Sequence, residues 1–113
     1  MSWGNDIRMR FPDWPSEASL SNWPAAKASL SVGQQASGVV IARAPFGVWL
    51  DIGVAIPALL LVPDMRDARR RRIVFEDYPQ KGDTVQGRIK ALADPGKIWI
   101  TQQNQAAEEK GPS

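Results

Sequence analysis

The alternation of apolar and polar side chains between residues 35 and 100 is the sequence feature that most constrains the fold. Successive side chains of a β-strand point to opposite faces, so a repeat close to two residues predicts short strands with one buried face. Glycine, proline or aspartate ends each run, as expected at the turns between strands. Five strands are predicted, at residues 35–44, 46–52, 58–62, 84–92 and 97–102.

The spacing of these strands predicts how they are arranged. Turns at Gly53 and at residues 94–96 join neighbouring strands, whereas a long connection, residues 63–82, separates the third strand from the fourth. No helical segment alternates with the strands, which disfavours a parallel α/β sheet. The expected fold is therefore all-β, a five-stranded antiparallel Greek-key barrel of the OB type.

The segments on either side of the predicted barrel differ from it in character. Residues 1–15 combine tryptophan, phenylalanine and proline with polar residues and follow neither repeat, so an extended arm is expected. From Asn22, a capping residue and a proline in the first turn predict a short helix that ends near Leu30, before Gly33. After Thr101 the chain is rich in glutamine and charge, which is typical of a solvated tail. A single domain is predicted, with the arm and helix at residues 1–31, the barrel at 32–103 and a flexible tail at 104–113.

The 113-residue sequence contains no cysteine and no histidine. This composition excludes disulfides, thiolate and imidazole catalysis and the usual zinc sites. We therefore expect a binding protein rather than an enzyme, with no cofactor and no metal. The longest apolar run, residues 54–62, is much shorter than a bilayer span, and the first residues lack the pattern of a secretory signal. A soluble, cytoplasmic protein without membrane contacts is expected.

Positive charge is concentrated in the predicted barrel. Residues 33–103 hold ten lysines and arginines against seven acids, whereas residues 1–32 hold three of each. This asymmetry favours a polyanionic partner. The densest charge lies in residues 66–72, and two interpretations of it stay open: a loop that contacts phosphates, or an ordinary solvated surface.

Four sequence blocks, in order, resemble the S1-type RNA-binding domain. They are VGQQASGVV at residues 32–40, PFGVWLDIG at 45–53, PALLLVPDM at 57–65, and KGDTVQGRI at 81–89 followed by KIWIT at 97–101. The second block, which is similar to the family's Phe-Gly-x-Phe-Val segment, is the most specific. Because all four occur at family-like spacing, the resemblance implies an OB barrel that binds single-stranded RNA.

The resemblance also implies roles for particular residues. Phe46 and Trp49 would stack on bases, Asp94 would line the same face, and Lys97 would supply a cation. Members of the family often carry histidine in the third strand, where this chain has Leu61, which cannot donate a hydrogen bond to RNA. Lys97 stands where the family has arginine, and it keeps the charge without the planar fork. Neighbouring basic residues complete the predicted RNA-binding set: Arg43, Arg69, Arg70, Arg71, Arg72 and Arg88.

Several aromatic residues have more than one interpretation. Phe46 is either a surface platform, which the motif favours, or an apolar plug at a corner of the barrel. Trp99 is expected to face outward, where it either extends the aromatic surface or packs under the arm, and we favour packing. Trp3, Trp14 and Trp23 are expected to pin the arm and the short helix to the barrel.

A protein-interaction module is the competing function. In that hypothesis the same face docks a ribosome-associated or RNA-processing protein, and Leu61 and Trp49 form one exposed apolar patch without surrounding cations. An RNA-binding role requires accessible aromatic rings with cations nearby. We expect a monomer that binds single-stranded RNA, with such proteins as possible further partners.

Overall fold

This computed structural model describes residues 3–12, 14, 21–66, 68, 72–94 and 96–103. Within these residues the chain forms five strands and two short helices. All five predicted strands are confirmed to within one residue at each end. The predicted tail, Arg69, Arg70, Arg71 and the side chain of Trp3 lie outside the described residues. The elements in chain order are α1 (Trp3–Arg10), α2 (Trp23–Ala28), β1 (Gln35–Ala44), β2 (Gly47–Asp51), β3 (Ala58–Leu61), 3-10 turns at Val62–Asp64 and Phe75–Asp77, β4 (Thr84–Ala93) and β5 (Lys97–Thr101).

The strands form a closed barrel in the order β1-β2-β3-β5-β4. Four of the five pairings are antiparallel, and the pairing of β3 with β5 is parallel. The predicted fold class is confirmed, with this parallel pair as the one ladder that departs from the antiparallel pattern. Strand β1 pairs with β4 through residues 35–39 and with β2 through residues 39–44. An irregularity after Val40 bends β1 so that it serves both neighbours.

Alternate side chains of the strands fill the barrel interior. Val48 and Leu50 are fully buried, as predicted, while Trp49 between them points outward and is half-buried. Burial of each large aliphatic side chain contributes about 1.5–3 kcal/mol, so this interior supplies most of the driving force for closure. The strand residues of this core are Val40, Val48, Leu50, Ala58, Leu60, Val85, Ile89, Ile98 and Ile100.

Helix α2 joins the barrel core, and its position confirms the short helix predicted at residues 22–30. Pro24 lies in the first turn, where a missing backbone N–H costs nothing. Trp23 is buried in the core, and its indole N–H donates to Asp94 at 2.6 Å. The prediction that Trp23 pins this helix to the barrel is confirmed.

The expected extended arm is wrong for residues 3–10, which form helix α1. Ile7 and Phe11 lie one helical turn apart, and both are buried against Ala42 of β1. A helix of this length is marginal in water, so contact with the barrel stabilises it. The sequence did carry a sign of this helix that the prediction overlooked, because Trp3, Ile7, Phe11 and Trp14 follow one another at spacings of four, four and three residues. None of the helices in the described ranges is long and apolar enough to cross a membrane.

Candidate nucleic-acid interface

Two tryptophans flank a leucine on the outward surface of β2, β3 and β5, which we call the outer face. Leu59 of β3 pairs with Trp49 of β2 on one side and with Trp99 of β5 on the other. All three side chains are half-buried. Directly paired residues project to the same side of a sheet, so these three form a continuous apolar row. The prediction that Trp99 faces outward is confirmed, and its packing under the arm stays a prediction.

Phe46 lies in the β1–β2 turn at one end of the outer face. The residue is 40% exposed, and its carbonyl oxygen accepts a hydrogen bond from the amide of Val62 at 3.0 Å. Gly47 follows where β3 passes very closely, because a Cβ there would collide with the carbonyl oxygen of Leu60. Leu61 pairs with Gly47 and is half-buried. The Phe-Gly pair therefore places an exposed ring at a site of tight backbone contact.

Trp49 differs from Phe46 because the N-terminal segment packs on it. The ring of Trp14 meets the Trp49 ring edge to face, with centroids 5.2 Å apart. Buried Ile7 and Phe11 lie in the same cluster. The guanidinium of Arg10 also pairs with Asp51, two residues after Trp49, at 2.6 Å. The predicted pinning role of Trp14 is confirmed, and it occurs on one of the two rings proposed to stack on bases.

Asp94 is engaged by helix α2. Its carboxylate accepts hydrogen bonds from the Trp23 indole at 2.6 Å and from the Lys27 ammonium at 3.1 Å. These bonds, the indole first and then the ammonium with its charge, lower the pKa of Asp94 below its usual value. Asp94 thus anchors α2 to the β4–β5 turn.

Lys97 opens β5 at the opposite end of the outer face from Phe46. Its side chain is exposed, and it has no ion-pair partner among the residues that the structure describes. Lys97 lies two residues before Trp99, which pairs with Leu59, whereas Phe46 precedes Gly47, which pairs with Leu61. At about 3.3 Å per strand residue, the two ends of the face are separated by roughly 13 Å along the strands.

Arg43 belongs to a cluster beside the β1–β2 turn, which we call the Arg43 cluster and which consists of Arg43, Phe75 and Tyr78. The guanidinium donates to the Phe75 carbonyl oxygen at 2.8 Å and lies 4.3 Å from the centre of the Phe75 ring. Phe75 is 43% exposed. The Tyr78 hydroxyl donates to the carbonyl oxygen of Pro45, and burial raises the pKa of Tyr78. Sequence analysis missed Phe75, because a single phenylalanine in a polar connection carried no signal of its surroundings.

The predicted site residues therefore do not form one surface. Phe46, Trp49, Leu61 and Lys97 share the outer face, whereas Arg88 lies on β4 and pairs with Gln35 of β1. Arg72 is exposed in the connection between β3 and β4. Among the described residues, no group of three or more acidic, histidine or cysteine side chains is placed to hold a metal ion.

Comparison with known proteins identifies the fold. No protein-family model matches the sequence, and no curated protein does. An uncharacterized protein from Methanocaldococcus jannaschii matches 66% of this chain and 95% of its own, with a TM-score of 0.54 and 17% identity. GSP13 from Bacillus subtilis matches 74% of this chain and 65% of its own, with a TM-score of 0.54 and 23% identity.

A third structure was solved in a complex with RNA. In the a/eIF2alpha-aDim2p-rRNA complex from Pyrococcus horikoshii OT3, the matched chain aligns with 71% of this chain over 51% of its own length, with a TM-score of 0.56 and 16% identity. This chain thus spans only about half of that structure and about two thirds of GSP13. At these identities the likeness establishes the barrel fold.

Proposed function

We propose that this chain binds single-stranded RNA, without catalysing a reaction, through the outer face of β2, β3 and β5. The observation that carries the proposal is the 40% exposure of Phe46 at one end of this face, with Lys97, whose ammonium has no ion-pair partner among the described residues, at the other. A flat ring and a cation separated by an apolar floor suit bases and phosphates of one strand. The similar barrel in a complex that contains rRNA supports the same partner class.

Stacking on Phe46 supplies the larger part of the affinity. Stacking of a base on an aromatic side chain is worth about 1–3 kcal/mol and tolerates any base, so binding has little sequence preference. Trp49 stacks less effectively, because Trp14 packs on its ring. Lys97 pairs with a phosphate as a single point charge. Asp94 is assigned no contact with RNA, because its carboxylate is engaged by Trp23 and Lys27 of α2.

A protein-docking role for the same face has less support. It requires Leu61 and Trp49 to form an exposed apolar patch, and both side chains are half-buried. The exposed large apolar side chains of the described residues lie elsewhere, apart from Phe46: they are Met9, Val32, Val39, Val74 and Phe75. The 40% exposure of Phe46 and the exposed cation of Lys97 support the RNA-binding alternative.

Titration with a uridine hexanucleotide at about 50 and about 200 mM salt tests the proposal. Phe75→Ala is the matched control for Phe46→Ala, because it removes a phenylalanine of similar exposure that lies in the connection between β3 and β4 and not on the strands of the outer face. We expect Phe46→Ala to weaken binding and Phe75→Ala to leave it unchanged. Equal affinities of the unaltered chain and Phe46→Ala would refute the assignment of this face.

A further inference from the structure

A polar groove lies on the side of the barrel formed by the start of β1, the first half of β4 and the end of β5. Its volume is about 250 Å³. Two arginines and four glutamines dominate its lining, which we call the glutamine groove: Arg66, Arg88, Gln35, Gln86, Gln102 and Gln103. In the closed strand order, β4 lies beside β1 and β5 and not beside β2 or β3, so the groove adjoins the outer face along β5 without sharing a side chain with it.

The described lining of the groove carries a positive charge. Its lining contains two arginines and, among the described residues, no acid. Neither guanidinium has an ion-pair partner within the described ranges. The nearby carboxylate of Asp64 is buried and already bonded, since it accepts from Lys90 at 2.9 Å and from Thr101 at 3.0 Å.

Hydrogen bonds hold the walls of the groove in a fixed position. The Gln102 side chain accepts from the backbone amide of Arg66 at 2.9 Å and donates to the carbonyl oxygen of Gln86 at 3.2 Å. Gln103 is buried and donates to the Met65 carbonyl oxygen at 2.6 Å. Because these bonds tie the β3–β4 connection to the end of β5, the backbone that carries Arg66 is fixed beside β4.

The floor of the groove leaves polar groups available to a ligand. A Cβ on Gly87 would lie 2.6 Å from the carbonyl oxygen of Thr101, so only glycine permits this close approach of β4 and β5. The guanidinium of Arg88 donates to the Gly33 carbonyl oxygen at 3.1 Å. Arginine carries five N–H donors, so most of those of Arg88 remain for an anion. The exposed amides of Gln35 and Gln86 can donate to or accept from hydroxyl groups and base edges.

We infer that the glutamine groove is a second binding site, which takes phosphodiester groups of a single RNA strand that continues beyond the outer face. Arginine forks fit phosphate oxygens in pairs, and neighbouring amides fit ribose hydroxyls. This inference rests on the RNA-binding role proposed above and adds to it a longer path for the strand. It predicts that the groove acts only on strands long enough to reach it.

Binding of two strand lengths to Arg66→Gln/Arg88→Gln tests the inference, with uridine oligonucleotides of six and about sixteen nucleotides as probes. For the longer strand we expect weaker binding and a salt slope reduced by about 0.7 for each lost phosphate contact. For the hexanucleotide we expect no change. Arg8→Gln, which removes an exposed charge from α1, is the control for the general electrostatic field and should leave both strands unaffected.

Failure of this inference can be distinguished from failure of the RNA-binding role. If the unaltered chain binds neither strand, both proposals are overturned. If the unaltered chain binds both oligonucleotides and the double variant binds the longer one with the same affinity, only the groove inference is overturned. The groove inference is also overturned if the double variant loses the same affinity for both oligonucleotides. If the double variant unfolds because it loses the Arg88 bond to Gly33, an NMR titration of the unaltered chain with each oligonucleotide provides the same test, with the amide resonances of Gly87 and Gln102 as reporters. They should shift with the longer strand and not with the hexanucleotide.

Discussion

Phe46 and Trp49 lie three residues apart in one motif, yet the barrel presents them differently. Phe46 is exposed at the β1–β2 turn, whereas Trp49 is half-buried with the ring of Trp14 packed on it. Strand geometry alone would put both rings on the surface. The difference comes from a segment more than thirty residues earlier in the chain, so access to an aromatic face depends on what packs over it as well as on the motif.

The largest effect is expected from a substitution that disrupts the packing of the N-terminal segment against β1 and Trp49. Ile7 is fully buried between α1 and β1, so Ile7→Ala should lower the free energy of unfolding by about 2–5 kcal/mol. Met9→Ala, on the same helix at 82% exposure, should change it by less than about 0.5 kcal/mol. Chemical denaturation measures both variants. If both variants changed the free energy of unfolding by the same small amount, packing of α1 against the barrel would not contribute to stability.

A smaller effect is expected where α2 is anchored to the barrel. The bonds from Trp23 and Lys27 hold the pKa of Asp94 below its unfolded value, so they stabilise the fold above the unfolded pKa. That stability is lost as the pH falls through the lower, folded pKa. Asp94→Asn should therefore reduce the melting temperature near neutral pH, and its difference from the unaltered chain should shrink in acid.

Melting temperatures measured between about pH 7 and about pH 2 check this pH dependence. Glu76→Gln is the control, because Glu76 is an exposed carboxylate in the connection between β3 and β4. A difference between Asp94→Asn and the unaltered chain that stays constant over this range would mean that the carboxylate charge does not stabilise α2.

The smallest expected effect is at the C-terminal end. Residues from Asn104 onward contain no large apolar side chain, so a chain that ends at Gln103 should melt with the full chain. A chain that ends at Ile100 should melt earlier, because it loses the bonds from Gln102 and Gln103 to the β3–β4 connection. If removal of residues 104–113 alone lowered the melting temperature, the predicted boundary of the barrel would be misplaced.

The barrel could be predicted from sequence because its signal is local. Alternation around Val48 and Leu50 and the turn at Gly53 define strands within a few residues of each position. The β3–β5 parallel pair and the packing of Trp14 on Trp49 join distant parts of the chain, and no local pattern encodes them. For the same reason the Phe-Gly motif identified both aromatic residues but did not distinguish the more exposed Phe46 from the half-buried Trp49.

The two arginine predictions illustrate the same limit. The motif and the charge count grouped Arg43 and Arg88 with the outer face, but burial and pairing separate them. Arg43 is half-buried against Phe75, and Arg88 borders the glutamine groove. Residue type identified them as cations, and only the folded chain shows that Arg43 packs on Phe75 while Arg88 lies on β4.

A paired RNA titration of Phe46→Ala and Trp49→Ala, with melting temperatures measured alongside, tests the central claim most directly. Phe46→Ala should weaken binding of the uridine hexanucleotide by about 1–3 kcal/mol with an unchanged salt slope, while the fold stays near its original stability. Compared with Phe46→Ala, Trp49→Ala should lower the melting temperature more and the RNA affinity less, because the ring of Trp49 packs against the N-terminal segment. If folded Trp49→Ala loses more affinity than Phe46→Ala, the claim that Phe46 is the principal stacking ring is contradicted.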